Sequence, residues 1–325
     1  MKALLLEEKG KWDQMRVGEA ETPVPQKGEI LIRVRAVSLN PVDYKTASNG
    51  NPDWSYPHIL GLDVAGTVEA LGDGVSGWSK GDRVVYHGDM TKGGGFAEFA
   101  VTTAHTVSRI PDDISFEDAA ALPTAGYTAY EALFRKLPLY TFNNILIQGG
   151  AGGVGGFGIQ LAKQAGLEVI TTASAANHDY VKSLGADHVI DYRSENVTKR
   201  VLELTNGRGV DAVLDTVSRQ TATEALEYLA YRGQLAHIAG APDTSGLKPF
   251  TKVLSFHEIA LGAIHKADFE SQKDLAAMGD EMLALLKDGK INSLLAEKIT
   301  LEEIPDALVR LSERHVKGKI AAIVS

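Results

Sequence analysis

Residues 144–156, NILIQGGAGGVGG, constrain what this chain can fold into more than any other stretch. An apolar run of strand length breaks into a Gly-rich turn, and the turn opens onto a helical segment, Phe157 to Ala165. Glycine suits such a turn because the backbone bends tightly and lets a pyrophosphate approach closely. The helix that follows points unpaired N–H groups and its positive dipole end at phosphate charge. Gly149, Gly152 and Gly155 stand at GxxGxxG spacing, in the strand-turn-helix context that a dinucleotide site requires. Gly149, Gly152, Gly153, Val154 and Gly155 are therefore the expected cofactor cradle. Close packing of a strand on a helix is the alternative reason for such glycines.

The length of 325 residues suggests about two domains. A formal charge of −9 argues against a general nucleic-acid partner, whose binding would rest on excess Lys and Arg. The chain has no cysteine, which removes disulfides, thiolate nucleophiles and every Cys-ligated zinc site. No segment offers about 18 uncharged apolar residues in a row, and the start, MKALLLEE, has too short an apolar core for a signal peptide. The expectation is a cytoplasmic protein with a small-molecule substrate and no membrane partner.

Residues 1 to about 110 carry short β-type runs between Gly and Pro turns, such as LIRVRAV and VAGTVEAL, as in a compact, partly barrel-like β domain. Asn40-Pro41-Val42-Asp43 reads as a helix start, with Asn at the cap, Pro at the first helical position and Asp43 reaching back to the cap. A helical pattern from Ser115 to Leu133 is interrupted at Pro123. Strands at 168–172, 188–190, 210–215 and 234–239 then alternate with helices, which predicts a doubly wound parallel sheet of about six strands. After about residue 265 come an amphipathic helix over 274–287, a second over 305–313, and a final strand from Lys319. This tail carries no nucleotide motif, so the economical arrangement returns it to the N-terminal domain.

Taken together, these residues resemble the zinc-free branch of the medium-chain dehydrogenase/reductase superfamily, the quinone oxidoreductase and enone reductase group. The likeness runs through NPVD at 40–43, GLDVAGTV at 61–68, GDRV at 81–84, GGFAE at 94–98, ALPTAGYTA at 121–129, the Gly-rich turn, LGADHVIDY at 184–192 and GKI at 318–320. The resemblance implies an α/β protein: a GroES-like β-barrel catalytic domain over 1–123, a Rossmann NADP-binding domain over 124–264, and a return segment over 265–325 completing the catalytic domain. It also implies an active cleft between the domains and a homodimer, with residues 257–263 as the pairing edge or as a buried core strand.

Zinc-dependent relatives place a Cys in the turn occupied by Asn40 to Asp43 and a His-Glu pair where this chain has Leu62-Asp63. Leucine cannot ligate a metal, and the nine histidines show no ligand spacing, so no metal is expected. His87 and His105 read as packing or surface residues. Without a Lewis acid to acidify an alcohol, the expected reaction is hydride transfer to a quinone or to the activated C=C of an α,β-unsaturated carbonyl. Asn40, Asp43, Tyr44 and Lys45 are the candidate catalytic residues. Tyr44 and Lys45 can donate to a substrate oxygen, while helix capping, packing and a solvated charge are their plain alternatives. A protein that holds cofactor without turnover, or an alcohol dehydrogenase-like enzyme, is the rival outcome.

Cofactor choice turns on the end of the second Rossmann strand. An acid there would accept from a ribose 2′-hydroxyl and repel a 2′-phosphate, and the run from Ile170 to Asn177 has none. NADP(H) is therefore expected. Ser174 and Tyr192 match 2′-phosphate positions of relatives, and Asn177 stands where relatives often carry Lys. Lys317 and Arg193 are candidates for the missing positive charge, while Thr128 and Gly240 match positions near the nicotinamide and ribose.

Overall fold

The computed structural model describes residues 1–314 and 316–324. Two compact units divide the chain: Met1–Tyr127 together with Gly262–Ser325, and Thr128–Leu261. Among the described residues no helix is long and apolar enough to cross a membrane.

The first unit is built on the ten-residue strand Glu29–Ser38. Its β-branched and apolar run buries both faces. Ile30, Leu31, Ile32, Val34, Ala36 and Val37 lie inside, and Arg33 and Arg35 reach outward. The strand Asp63–Leu71 pairs antiparallel along its whole length. Its other edge is shared: Phe99–Thr103 covers the first half, and the C-terminal strand Lys319–Ile323 covers the last residues. The register aligns Ala321 with Ser38, Ser38 with Asp63, and Asp63 with His87, in one row across four strands. Because side chains alternate along a strand, Lys319 shares the face of Ala321.

The helical run is interrupted ahead of Pro123, as expected. After the helix Phe116–Ala120 the chain continues as wide π-helical turns, Pro123–Tyr127 and Glu131–Lys136, on either side of Thr128–Tyr130. Proline withholds the donor of an i→i−4 bond, and the wider turn absorbs the gap.

The second unit is a six-stranded parallel sheet. Its strands, numbered in chain order within the sheet, lie in the spatial order 3-2-1-4-5-6, with Asn144–Gln148 central. All five residues of Asn144–Gln148 and all six of Val210–Asp215 are buried, as strands covered by helices on both faces must be. The outer edge is Ser255–Glu258, not 257–263. The ladder ends where the Ile259 N–H meets the His237 carbonyl at 3.1 Å, and Leu261–Lys266 forms a 3-10 helix. From Gly262 onward the chain belongs to the first unit, where His265 is tied to His87.

Candidate active site

In the first unit the site begins at the helix Pro41–Asn49. Asn40 is extended (φ −138°, ψ 153°), and its N–H donates to Asp43 Oδ2 at 2.7 Å. The Asp43 N–H goes to the Asn40 main-chain carbonyl at 3.0 Å, and the capping box at this helix start does not use up the Asn40 side chain. Its amide Nδ2 donates to Asp63 Oδ2 at 2.8 Å, and its Oδ1 accepts from Lys319 Nζ at 2.6 Å. The Lys319 ammonium has three protons and three acceptors: Asn40 Oδ1, the Leu39 carbonyl at 3.1 Å, and Asp63 Oδ2 at 3.2 Å. Asp63 Oδ1 accepts from both the N–H and the hydroxyl of Thr124. Asn40, Asp43, Asp63 and Lys319 are each at most 3% exposed.

One cation thus faces two buried carboxyl groups. Burial pushes Asp43 up to about 7, helped by the Asp63 charge and opposed by the Asn40 N–H and Lys319. In the unfolded chain Asp43 ionises near the ordinary aspartate value, about 3.9. The unfolded state therefore loses its proton first, and Asp43 draws stability down as pH rises from about 4 through about 7. We predict that Asp43→Asn flattens this part of the stability profile, as read by urea midpoints between pH 4.5 and 8. An unchanged slope would remove Asp43 as its source.

The side of the helix that carries Val42, Asp43 and Thr46 lines a small recess, closed by Leu62, Trp54 and His58. Tyr44 turns elsewhere and packs on Trp12, with ring centroids 5.4 Å apart. Lys45 is exposed. Neither of these two candidate donors lines the recess. Two loops, 49–57 and 88–94, contribute Trp54 and Met90 to it.

The donor set does not suit zinc. Leu62 has no ligand atom, and both Asp63 oxygens are committed to Lys319, Asn40 and Thr124. His87 is buried beside Asp63, and its Nδ1 lies 3.0 Å from His265 Nε2. Burial holds the His87 imidazole down at about 4, so it is neutral at pH 7. His105 pairs with Gln272. Among the described residues no group of three or more His, Cys, Asp or Glu is arranged to hold a metal ion.

In the second unit Gly149 ends the central strand at φ 75°. Its N–H donates to Thr172 Oγ1 and the Gly150 N–H to the Thr172 carbonyl, which ties the turn to the neighbouring strand. The helix Gly153–Gln164 starts with a glycine cap, Gly152, that offers no side-chain acceptor. The first N–H groups of Gly153, Val154 and Gly155 have no intrahelical acceptor, as at any helix start. A Cβ on Gly155 would sit 2.3 Å from the Gly149 carbonyl oxygen, so turn and helix touch backbone to backbone. The turn stands at the carboxyl end of the central strand, where the strand order reverses, the place such sheets hold nucleotides. These features fit a dinucleotide pyrophosphate.

Ser174 and Asn177 follow the next strand, with Asn177 Nδ2 donating to Ser174 Oγ at 3.3 Å. Tyr192 is half exposed after the third strand, under the Arg193 guanidinium at 5.8 Å. No acidic side chain follows Thr172 before Asp179. Gly240 follows the fifth strand at φ 141°. Thr128 is buried at the start of this unit, and Lys317 is exposed in the other unit.

A Gly-rich turn at the switch point of a 3-2-1-4-5-6 sheet, in one chain with an antiparallel β unit, defines the class as a dinucleotide-binding α/β protein. Known proteins narrow the class. The family described as alcohol dehydrogenase GroES-like domain matches residues 26–112, and that described as zinc-binding dehydrogenase matches residues 153–281. The chloroplast envelope quinone oxidoreductase homolog of Arabidopsis thaliana is 32% identical, over 93% of this chain and 92% of its own. The quinone oxidoreductase of Pseudomonas aeruginosa is 33% identical over 90% of both chains. The crystal structure of Escherichia coli quinone oxidoreductase complexed with NADPH matches with a TM-score of 0.88 at 27% identity, covering 100% of each chain. The chain belongs to the medium-chain dehydrogenase/reductase superfamily, with quinone oxidoreductases among its relatives.

Sequence reasoning missed Lys319 and Asp63 as partners. A signal was present, since each is a lone charge next to an apolar strand run, and such charges are buried only when paired. His58 and Trp54 carried no signal, because their loop has no transferable pattern.

Proposed function

We propose that the protein is a zinc-independent, NADPH-dependent oxidoreductase acting on quinones or on the activated C=C of α,β-unsaturated carbonyls. The observation that carries it is the filled polar cluster: a lysine ammonium satisfies Asp63 beside Leu62, which leaves a donor set suited to positioning and hydrogen bonding. Substrates that already carry an electrophilic carbon need no more than that. The cofactor would rest on Gly149, Gly152, Gly153, Val154 and Gly155, with Ser174, Asn177 and Tyr192 at the 2′-phosphate, and it supplies the hydride when bound. Asn40 and Asp43 hold the start of the 41–49 helix. Tyr44 steadies it through Trp12, and Lys45, exposed on the same helix, is the candidate that solvent reaches.

The test follows loss of reduced-nicotinamide absorbance against enones, enals, quinones, saturated ketones and primary alcohols. Oxidation of NADPH with the first three groups is expected, undiminished by a chelator, with a lower KM for NADPH than for NADH. A preference for NADH, or activity abolished by the chelator, overturns the corresponding part.

A further inference from the structure

The recess beside the 41–49 helix is lined by several polar side chains, and most are already engaged. The Trp54 indole N–H donates to the Met90 carbonyl at 2.6 Å. Lys92 is held by Glu29. The Thr46 hydroxyl points at Met90 Sδ, 4.0 Å away, and Asp43 Oδ2 takes the Asn40 N–H. His58 is the exception. Its ring is only 8% exposed and lies flat on Trp54, with centroids 4.2 Å apart and planes 15° from parallel. Among the described residues no protein hydrogen bond to either ring nitrogen is seen, and neither nitrogen is wholly shut off from solvent. A ring locked against an indole with an uncommitted N–H is a pre-oriented donor.

Size says what that donor can meet. The inner recess has about 20 Å³ of room, enough for one water or one oxygen atom and too little for a ring. We propose that His58 donates a hydrogen bond to the carbonyl oxygen of the acceptor substrate, which enters the recess oxygen first and displaces a water. This assignment rests on the reductase activity proposed above.

Burial lowers the affinity of His58 for a second proton, to about 4, so at pH 7 the imidazole is neutral with one N–H and one lone pair. Asp43 from the helix and Lys92 from the 88–94 loop are the charged groups lining the same recess. A neutral N–H of this kind donates to ketone, enone and quinone oxygens alike and has no preference for carboxylates.

The test is binding of cyclohexanone, a saturated ketone, to the protein saturated with oxidised NADP, so that no hydride can move. Calorimetry is expected to show ketone binding weakened roughly tenfold in His58→Phe, which keeps the stacked ring but loses the donor. His58→Gln recovers part of that loss, and both variants keep NADP affinity within about twofold. Equal ketone affinity in wild type and His58→Phe overturns the assignment. A second measurement needs no variant of His58. Ketone should shift the fluorescence of Trp54, with Trp54→Phe as the blank, while methylcyclohexane should not, and an equal response to both also overturns it. The parent activity is judged separately: wild-type protein that oxidises NADPH with enones while His58→Phe binds ketone normally keeps the reductase and sinks His58. Failure of wild type to turn over any enone or quinone sinks the reductase, and the assignment with it.

Discussion

Lys319→Met is expected to lower the unfolding free energy by about 3–5 kcal/mol, the usual cost of removing one member of a buried ion pair. The lysine is 3% exposed and Asp63 is fully buried, so water cannot replace the lost partner. Asn40 Nδ2 and Thr124 still donate to Asp63, but both are neutral dipoles and leave the carboxylate charge uncompensated. The substitution also frees the Leu39 carbonyl and Asn40 Oδ1, which adds two unsatisfied acceptors at the entry to the 41–49 helix. Asp63→Asn in the same chain removes the stranded charge while keeping the acceptor for Thr124, and should recover more than half of the loss. Urea unfolding of the two single variants and the double variant at pH 7 measures this cycle. A cost below about 1 kcal/mol for Lys319→Met would mean that the ammonium is not the cluster's counter-charge, since exposed pairs fall in that range.

Gly155→Ala is expected to weaken NADPH binding by at least about tenfold while leaving the protein folded. The new methyl would sit 2.3 Å from the Gly149 carbonyl oxygen and 2.8 Å from the Gly149 carbonyl carbon and Gly150 Cα. All three are backbone atoms, so the turn and the helix start must separate. Overpacking of this kind costs about 1–3 kcal/mol, and the gain in helix propensity from Ala over Gly, about 1 kcal/mol, offsets part of it. The remaining strain is spent where the pyrophosphate would bind, and each 1.4 kcal/mol there is about a factor of ten. Gly158→Ala is the control on the same helix. Its methyl meets the movable end of Leu214 at 3.0 Å, away from the turn, and NADPH affinity should stay within about threefold. Equal nicotinamide-fluorescence titrations of Gly155→Ala and Gly158→Ala would show that the backbone contact is not what shapes the cradle.

Much of the second unit was legible in the linear chain. The expected strands 168–172, 188–190 and 210–215 and the helix 197–204 coincide with the observed ones, because strongly apolar, β-branched runs with Gly or Asp at their ends leave little choice of element. The π-helical form of the turns after Pro123 and the end of the edge strand were not legible, for local reasons. A π-helical turn has no pattern of its own in sequence. The end of an edge strand depends on where the neighbouring strand stops supplying partners, here at His237.

The candidate site divides in the same way. The glycine spacing, the missing acid after Thr172 and the leucine at 62 can be read residue by residue, because each acts through its own covalent properties: no Cβ, no negative charge, no ligand atom. What Asn40 does could not be read so. A capping pattern assigns its side chain to the helix, and the capping box is present, but the fold also ties that side chain to Asp63 and Lys319, 23 and 279 residues away. The side chain of Tyr44 is as able to donate as that of His58, yet one packs on Trp12 and the other faces the recess. The sequence by itself determined the two folds, the glycine cradle and the absence of a zinc ligand at Leu62, since periodicity and residue chemistry are local. Only the tertiary structure decided which polar groups are already satisfied and which are left to meet a substrate, because a hydrogen bond formed across hundreds of residues leaves no trace in either partner's neighbourhood.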